Sequence, residues 1–261
     1  MALVQKRTTL QIWGDVIFAI FLREIKSKFS DKLGIAWSVV SPVAFIMILS
    51  VMRGRFDGGE THTIPTFFFM SYAMLLVIFF MSLIPNVAGA IKKSKPLFAF
   101  RQVQPISAVI AIAGFELLIK AFVYLVIFII CYLISLNIQI ADPIKVIMIL
   151  LQVWLFSTSI GLILSIMACY VPEVQKLLGL AMRPMFFISG VFFSLQDIPQ
   201  EYWHYLTWNP LLHAVELTRY AAYPSYGDAG VSELYLNIFT LCSVFLALAC
   251  YHISWKQAIS R

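Results

Sequence analysis

Three charged side chains stand where charge is expensive. Glu116 and Lys120 lie four residues apart at the head of a long uncharged run, and Arg183 sits inside another. On a helix a glutamate followed by a lysine at i, i+4 is the favourable order, so the two can enter a membrane edge as a mutually neutralising pair. A proton relay would need several carboxylates or histidines in series, so the pair reads as structural. Arg183 has no acid at i±3 or i±4. Two roles fit it: snorkelling to the interface, or attracting the phosphate of an anionic lipid.

Other chemistry is excluded by what the chain lacks. No glycine is followed by lysine, so a phosphate-binding loop of the Walker type is impossible. There is no G-x-G-x-x-G turn, no G-x-S-x-G elbow and no H-E-x-x-H. The four histidines, His62, His204, His213 and His252, are too scattered for a metal set. Cys131, Cys169, Cys242 and Cys250 all lie inside apolar runs and read as small core residues, not as disulfide partners or metal ligands. No cofactor is expected in this chain, and any energy source must lie elsewhere.

The elements that hold these residues are membrane elements. The chain has 261 residues, 61% hydrophobic and 12% charged, about half the ~25% charge of a soluble domain. Mean hydropathy is +0.88. The apolar runs are long and continuous, which indicates an all-α polytopic membrane protein and not a barrel. The net charge of +6 sits mostly beside these runs, so it does not point to nucleic acid. No cleavable leader is read, because acids and bases precede the first apolar span.

A single membrane-embedded domain is expected over residues 1–261. From 12 to 30, Trp13, Val16, Ile17, Ile20, Phe21, Ile25 and Phe29 recur at spacings of three and four, with Asp15, Arg23, Lys26 and Ser27 between them. That predicts an amphipathic helix lying in the interface. Six spans follow at 33–53, 66–85, 113–136, 146–170, 177–195 and 233–255. The first occupies 20 uncharged residues between Lys32 and Arg53, enough for a ~30 Å hydrocarbon core. Residues 196–230 are rich in Trp and Tyr and broken by Pro199, Pro210 and Pro224. Their uncharged stretch from 205 to 215 is too short to cross, which predicts a re-entrant hairpin on the outer side. The aromatic cluster fits an interfacial belt or a stacking surface for sugars, the belt being the commoner role. Fourteen Lys and Arg fall on the side of the two termini and four on the other, so both termini are expected in the cytoplasm. The 92–104 loop carries four basic residues around the apolar knob Leu97-Phe98-Ala99-Phe100. A loop that only set topology would not need to expose Phe98 and Phe100, so it reads as a docking element.

Two segments carry a family resemblance. Leu22–Pro42, LREIKSKFSDKLGIAWSVVSP, joins a basic helix to a Leu-Gly-x-x-Trp start and a proline in the first span. Ser189–Tyr223, SGVFFSLQDIPQEYWHYLTWNPLLHAVELTRYAAY, contains Asn-Pro followed by His213, Glu216 and Arg219. The chain resembles the membrane subunits of type-2 ABC exporters, in particular those exporting bacterial capsular polysaccharide. The first segment is shared with permeases for O-antigen and teichoic acid; the second is more like the capsule group.

The resemblance implies a homodimer in the bacterial inner membrane working with two copies of a separate ATPase that binds ATP and Mg. A two-fold pore also follows from size, because six helices of one chain leave little room for a sugar-wide channel. Residues implied to receive the ATPase's movement are Arg23, Glu24, Lys26, Lys28, Lys92, Lys93, Lys95, Leu97, Phe98, Phe100 and Arg101. Candidates along the path of substrate and lipid are Trp37, Arg53, Arg55, Arg183, Tyr202, Trp203, Trp208 and Arg219. The implied partners are a periplasmic polysaccharide export protein (a co-polymerase), membrane lipids and a lipid-linked acidic polysaccharide as cargo. A secondary transporter would need repeat symmetry and more intramembrane charge. A glycan transferase would need grouped acids with a metal or diphosphate motif.

Overall fold

The computed structural model describes residues 8–29, 32–56, 58–100, 102–136 and 138–260. Helix α1 (Thr9–Phe29) is followed by α2 (Lys32–Phe56), and a two-residue hairpin, β1 (Glu60–Thr61) with β2 (Ile64–Pro65), turns the chain into α3 (Thr66–Ala88). A short α4 (Ala90–Ser94) runs into a 3-10 turn at Lys95–Ala99. Then come α5 (Pro105–Leu133), α6 (Pro143–Tyr170), α7 (Val174–Ile188), α8 (Pro210–Ala222) and α9 (Glu233–Ser260).

Three helix starts share one device. A polar residue precedes a proline at the first helical position, where the missing N–H would be unpaired anyway. Asp142 accepts from Lys145 N at 3.0 Å before Pro143, and Asn209 accepts from Leu211 N at 3.0 Å before Pro210. Gln104 before Pro105 starts α5 the same way, without a side-chain cap.

Among the described residues, five helices are long and apolar enough to cross a membrane: α2 from Val39, α3, α5, α6 and α9. Of α3, 72% is buried, against 22–39% of the other four, so α3 is the axis on which the rest pack. Gly161 of α6 lets that helix come close: a Cβ there would stand 2.7 Å from the Val87 side chain.

Several expected boundaries move. α5 starts at Pro105 and not at 113, because Ala108 and Ala111 pack against Ile20 of α1 and hold those first two turns helical. The expected 92–104 loop is largely helical, and it half-buries Leu97 and Phe98 against the same cluster. Only Phe100 of the two phenylalanines stands out, 66% exposed.

The expected span at 177–195 is the largest difference. α7 ends at Ile188 after 15 residues, about 22 Å. Gly190 then takes φ +73, a left-handed conformation that glycine adopts without a Cβ penalty. The next stretch is not helical, so its backbone oxygens need other donors. Arg219 supplies them. Its guanidinium bonds the carbonyls of Gly190 (2.8 Å), Val191 (3.3 Å) and Phe193 (3.3 Å), that of Phe69 on α3 (3.1 Å), and Glu216 Oε1 (3.0 Å). It also lies over the Phe69 ring at 3.5 Å. Glu216 is closed off in turn: the Tyr226 hydroxyl donates to its Oε2 at 2.6 Å and sits 2.6 Å from Ser194 Oγ. Burial pushes that tyrosine well above its ordinary value, so it stays a donor.

His213, one turn before, accepts from Ser232 N at Nδ1 (3.0 Å) and donates from Nε2 to the Thr207 carbonyl (2.8 Å). Both bonds fit the neutral ring. Burial pushes His213 below its usual range, outweighing the bond to Thr207.

Replacing Arg219 by Met should lower stability in detergent by about 3–5 kcal/mol, because Glu216 is left charged and buried alone. Adding Glu216→Leu should recover part of that loss, a coupling read from unfolding of both single variants and the double. For His213 the sign is also fixed. The unfolded ring takes its proton near pH ~6.5 while the folded one resists, so stability falls as pH drops below about 6.5. The slope is at most about 1.4 kcal/mol per pH unit, and His213→Gln should remove that share of the melting-temperature change between pH 7.5 and 5.5.

Candidate functional site

Two polar centres stand at opposite ends of α3. The Arg219 cluster touches Phe69, and the second centre lies around Asn86, seventeen residues or about 25 Å further along the helix.

The second centre joins α1 to the α4 turn. Glu24 of α1 is 3% exposed, yet it is a carboxylate. It is tolerable there because Lys93 Nζ donates to Oε2 at 2.5 Å and Arg23 to Oε1 at 3.0 Å. Arg23 also donates to the buried Ser94 Oγ at 3.0 Å, which stitches α1 to the end of α4. Lys93 is half in solvent, so its pair with Glu24 is worth less than a fully buried one. An apolar contact backs the ionic one. Ile20 fits against Ala108 and Ala111 of α5, framed by Val16, Ile17, Phe21, Leu97, Phe98 and Val103. The rings of Phe21 and Phe115 meet edge-on at 6.1 Å. α1, the 90–99 turn and the start of α5 therefore form one packed body.

Of the residues assigned to coupling, this body gathers Arg23, Glu24, Lys93, Leu97 and Phe98. Lys26, Lys92, Lys95 and Phe100 project outward, Lys28 is exposed at the edge of a cavity beside Asn86 and Glu116, and Arg101 lies outside the described residues. Ser94 was missed. A buried serine behind two lysines has no sequence signature, and only the arginine reaching it marks it.

The path candidates do not converge. Trp37 is 70% exposed on α2; Arg55, Arg183, Tyr202 and Trp208 are exposed. Arg53 bonds the Phe192 carbonyl, tying the end of α2 to the non-helical stretch after α7. Trp203 is half-buried, donates to the Ile198 carbonyl at 2.7 Å and lies so close to Gly230 that a Cβ there would stand 2.6 Å from its ring. Arg219 has no exposed surface at all. Where the sequence places it among residues facing a substrate, its five hydrogen bonds make it a structural strut. Gly190, Ser194 and Tyr226, which complete that strut, were also missed, being separated by up to 36 residues of chain. Among the described residues no three His, Cys, Asp or Glu are grouped to hold a metal.

Glu24→Ala should loosen α1 from α4 while leaving the Arg23–Ser94 bond and the Ile20 contact. Losing a charge-assisted bond of about 1.5 kcal/mol predicts roughly tenfold faster amide exchange across residues 20–28, with α6 and α9 unchanged.

The ABC-2 type transporter family profile matches residues 15–223, which takes in both centres apart from Tyr226. The polysialic acid transport protein KpsM of Escherichia coli is 36% identical over 249 residues, 94% of this chain and 95% of its own length. The capsule polysaccharide export inner-membrane protein CtrC of Neisseria meningitidis serogroup A is 24% identical over 243 residues, covering 92% of this chain and 90% of CtrC. BexB of Haemophilus influenzae, with the same description, is 23% identical over 248 residues, 91% and 93% of the two chains. The likeness read from two segments thus runs nearly end to end, and the chain belongs to the ABC-2 type transporter family.

Proposed function

We propose that this chain is the permease subunit of an ATP-driven exporter that moves lipid-linked capsular polysaccharide across the bacterial inner membrane. The observation that carries the mechanism is the clamp at Glu24. A helix and a turn that both carry cationic, outward-facing residues are locked into one body, and that body leads directly into α2.

In this reading the protein works as a homodimer with two copies of a cytosolic ABC ATPase, which bind ATP and Mg. α1 lies in the inner interface, and α2, α3, α5, α6, α7 and α9 are the six spans, with both termini cytoplasmic. The fourteen-to-four distribution of Lys and Arg supports that orientation. α7 is short for a span, and the extended residues after it complete the crossing under the cover of Arg219. α8 and the turns flanking it form the outer re-entrant segment, which closes the pore and meets a periplasmic export protein through Tyr202 and Trp208. α2 and α7 line a two-fold pore.

ATP-driven closure of the two ATPases pushes on Phe100, Lys92, Lys95 and Arg101. The clamp passes the displacement to α1, and α1 passes it to α2. Because Glu24 and the Ile20 contact bind the pushed turn to the lever, little motion is lost between them. The chain's part is mechanical and electrostatic, with no bond made or broken in it. KpsM, CtrC and BexB bear names of polysialic acid or capsule transport, which supports capsule over an O-antigen or teichoic-acid cargo.

Co-expression with the ATPase should give a complex with the two chains in equal amounts. Phe100→Asp puts a desolvated charge into that contact and should cut polymer export at least tenfold, the effect of losing one interface anchor of ~1.4 kcal/mol or more. Phe100 is exposed, so the variant should fold and insert normally. Wild-type export by Phe98→Asp together with Phe100→Asp would sink the docking assignment.

A further inference from the structure

Glu116 and Lys120 make no ion pair within 4 Å. Both are buried, at 5% and 6% exposure, one turn apart on α5. Yet the Glu116 carboxylate is engaged by Asn86 Nδ2 of α3 at 2.7 Å, and among the described residues the Lys120 ammonium has neither a hydrogen-bond acceptor nor an acid within 4 Å. An ammonium more than nine-tenths buried without a partner is costly. It lines a cavity of about 390 Å³, shared with Lys28, Trp37, Ser82, Asn86 and Glu116.

That cavity is one section of a longer groove. Towards α4 it continues, through Lys28, Asn86 and Glu116, into a space bounded by Glu24 and Lys93. In the other direction it continues, through Phe45, Ile78 and Ser82, into an apolar space closed by Met81 and Phe186. One end is cationic and polar, and the other is hydrocarbon and aromatic. From Ile78 to Asn86 the change takes eight residues of α3, about 12 Å.

Among the described residues, neither Lys28 nor Lys120 has an acid within 4 Å. Glu116 is engaged by Asn86, and Glu24 by Arg23 and Lys93. The cavity around Lys120 therefore holds two lysines against one carboxylate whose hydrogen-bonding capacity is partly spent. One phosphodiester between the lysines would neutralise it.

We propose that this groove binds an acyl lipid bearing one phosphodiester, with the phosphate between Lys28 and Lys120 and a chain along Phe45, Ile78, Met81 and Phe186. Trp37, exposed at the mouth, covers the glycerol region. Membrane phosphatidylglycerol and a phosphate-linked lipid anchor on a cargo share this chemistry. The site itself does not rest on the export reading; only the second source does.

The test uses the full-length chain in detergent with added phosphatidylglycerol or phosphatidylethanolamine, read by melting temperature. Phosphatidylglycerol should raise the wild-type midpoint by several degrees in a saturable way, and phosphatidylethanolamine should not. Lys120→Met should melt no lower than wild type without lipid, since it removes an unpaired buried charge, and should lose the lipid-dependent rise. Lys28→Ala, at an exposed position, should weaken apparent affinity about fivefold, the share of one basic residue at a lipid surface. Equal rises in wild type and both variants, or equal rises with both lipids, would overturn the proposal. Native mass spectrometry of chain purified from cells with and without the polymer separates the sources. Phospholipid retained from both preparations assigns the site to the membrane lipid, and retention only from polymer-making cells assigns it to the cargo's anchor. Retention from neither preparation refutes the site.

Discussion

Backbone that is not helical at membrane depth has to find its hydrogen bonds inside the protein. In the six-span reading proposed above, that constraint falls on residues 190–193, and two arginines meet it. Arg219 takes the carbonyls of Gly190, Val191 and Phe193, while Arg53 takes that of Phe192. With those four oxygens satisfied, α7 can stop at Ile188 and α8 can tuck beneath the surface against α3. Glu216 and Tyr226 make the guanidinium itself tolerable. Remove the arginine and the short helix, the break after it and the buried α8 each lose their justification.

The other end of α3 obeys the same economy of charge in a different form. Glu24 is saturated by two cations, one of which, Arg23, is also stitched to Ser94, so it serves as a rivet between elements. Lys120 is buried almost as deeply and saturated by nothing. The contrast separates a finished structural contact from an open one. Asn86, an amide on the facing helix, takes a hydrogen bond of the Glu116 carboxylate, and Lys120 lines the groove beside it.

Much of the architecture was legible in the chain. Uncharged runs located α2, α3, α6 and α9, and the apolar spacing from Trp13 to Phe29 located α1, because hydrophobic length and period are local properties. The two quoted segments were enough to place the family. Contacts between distant residues were not legible. Nothing around Arg219 reveals that its partners sit at 69, 190, 191 and 193, and a lone arginine among aromatics reads as a solvent-facing candidate until the fold seals it. The half-burial of Phe98 was hidden likewise, since the cluster it packs against is closed by Ile20, far off in sequence. α7 was overextended for a physical reason: residues 189–195 are apolar enough to continue a span, and the signal to stop comes from an arginine about 30 residues later.

That delay has a consequence for how the chain is made. Residues 190–193 leave the ribosome before Arg219 exists, and at typical synthesis rates the gap lasts on the order of a few seconds. During that interval the carbonyls of Gly190, Val191 and Phe193 have no guanidinium to accept from, while that of Phe192 can already meet Arg53. If α7 is the fifth of six crossings, as proposed above, the insertion machinery must hold it in a provisional state until α8 arrives. A chain truncated before Arg219 leaves three of these carbonyls without the donor that the folded chain gives them.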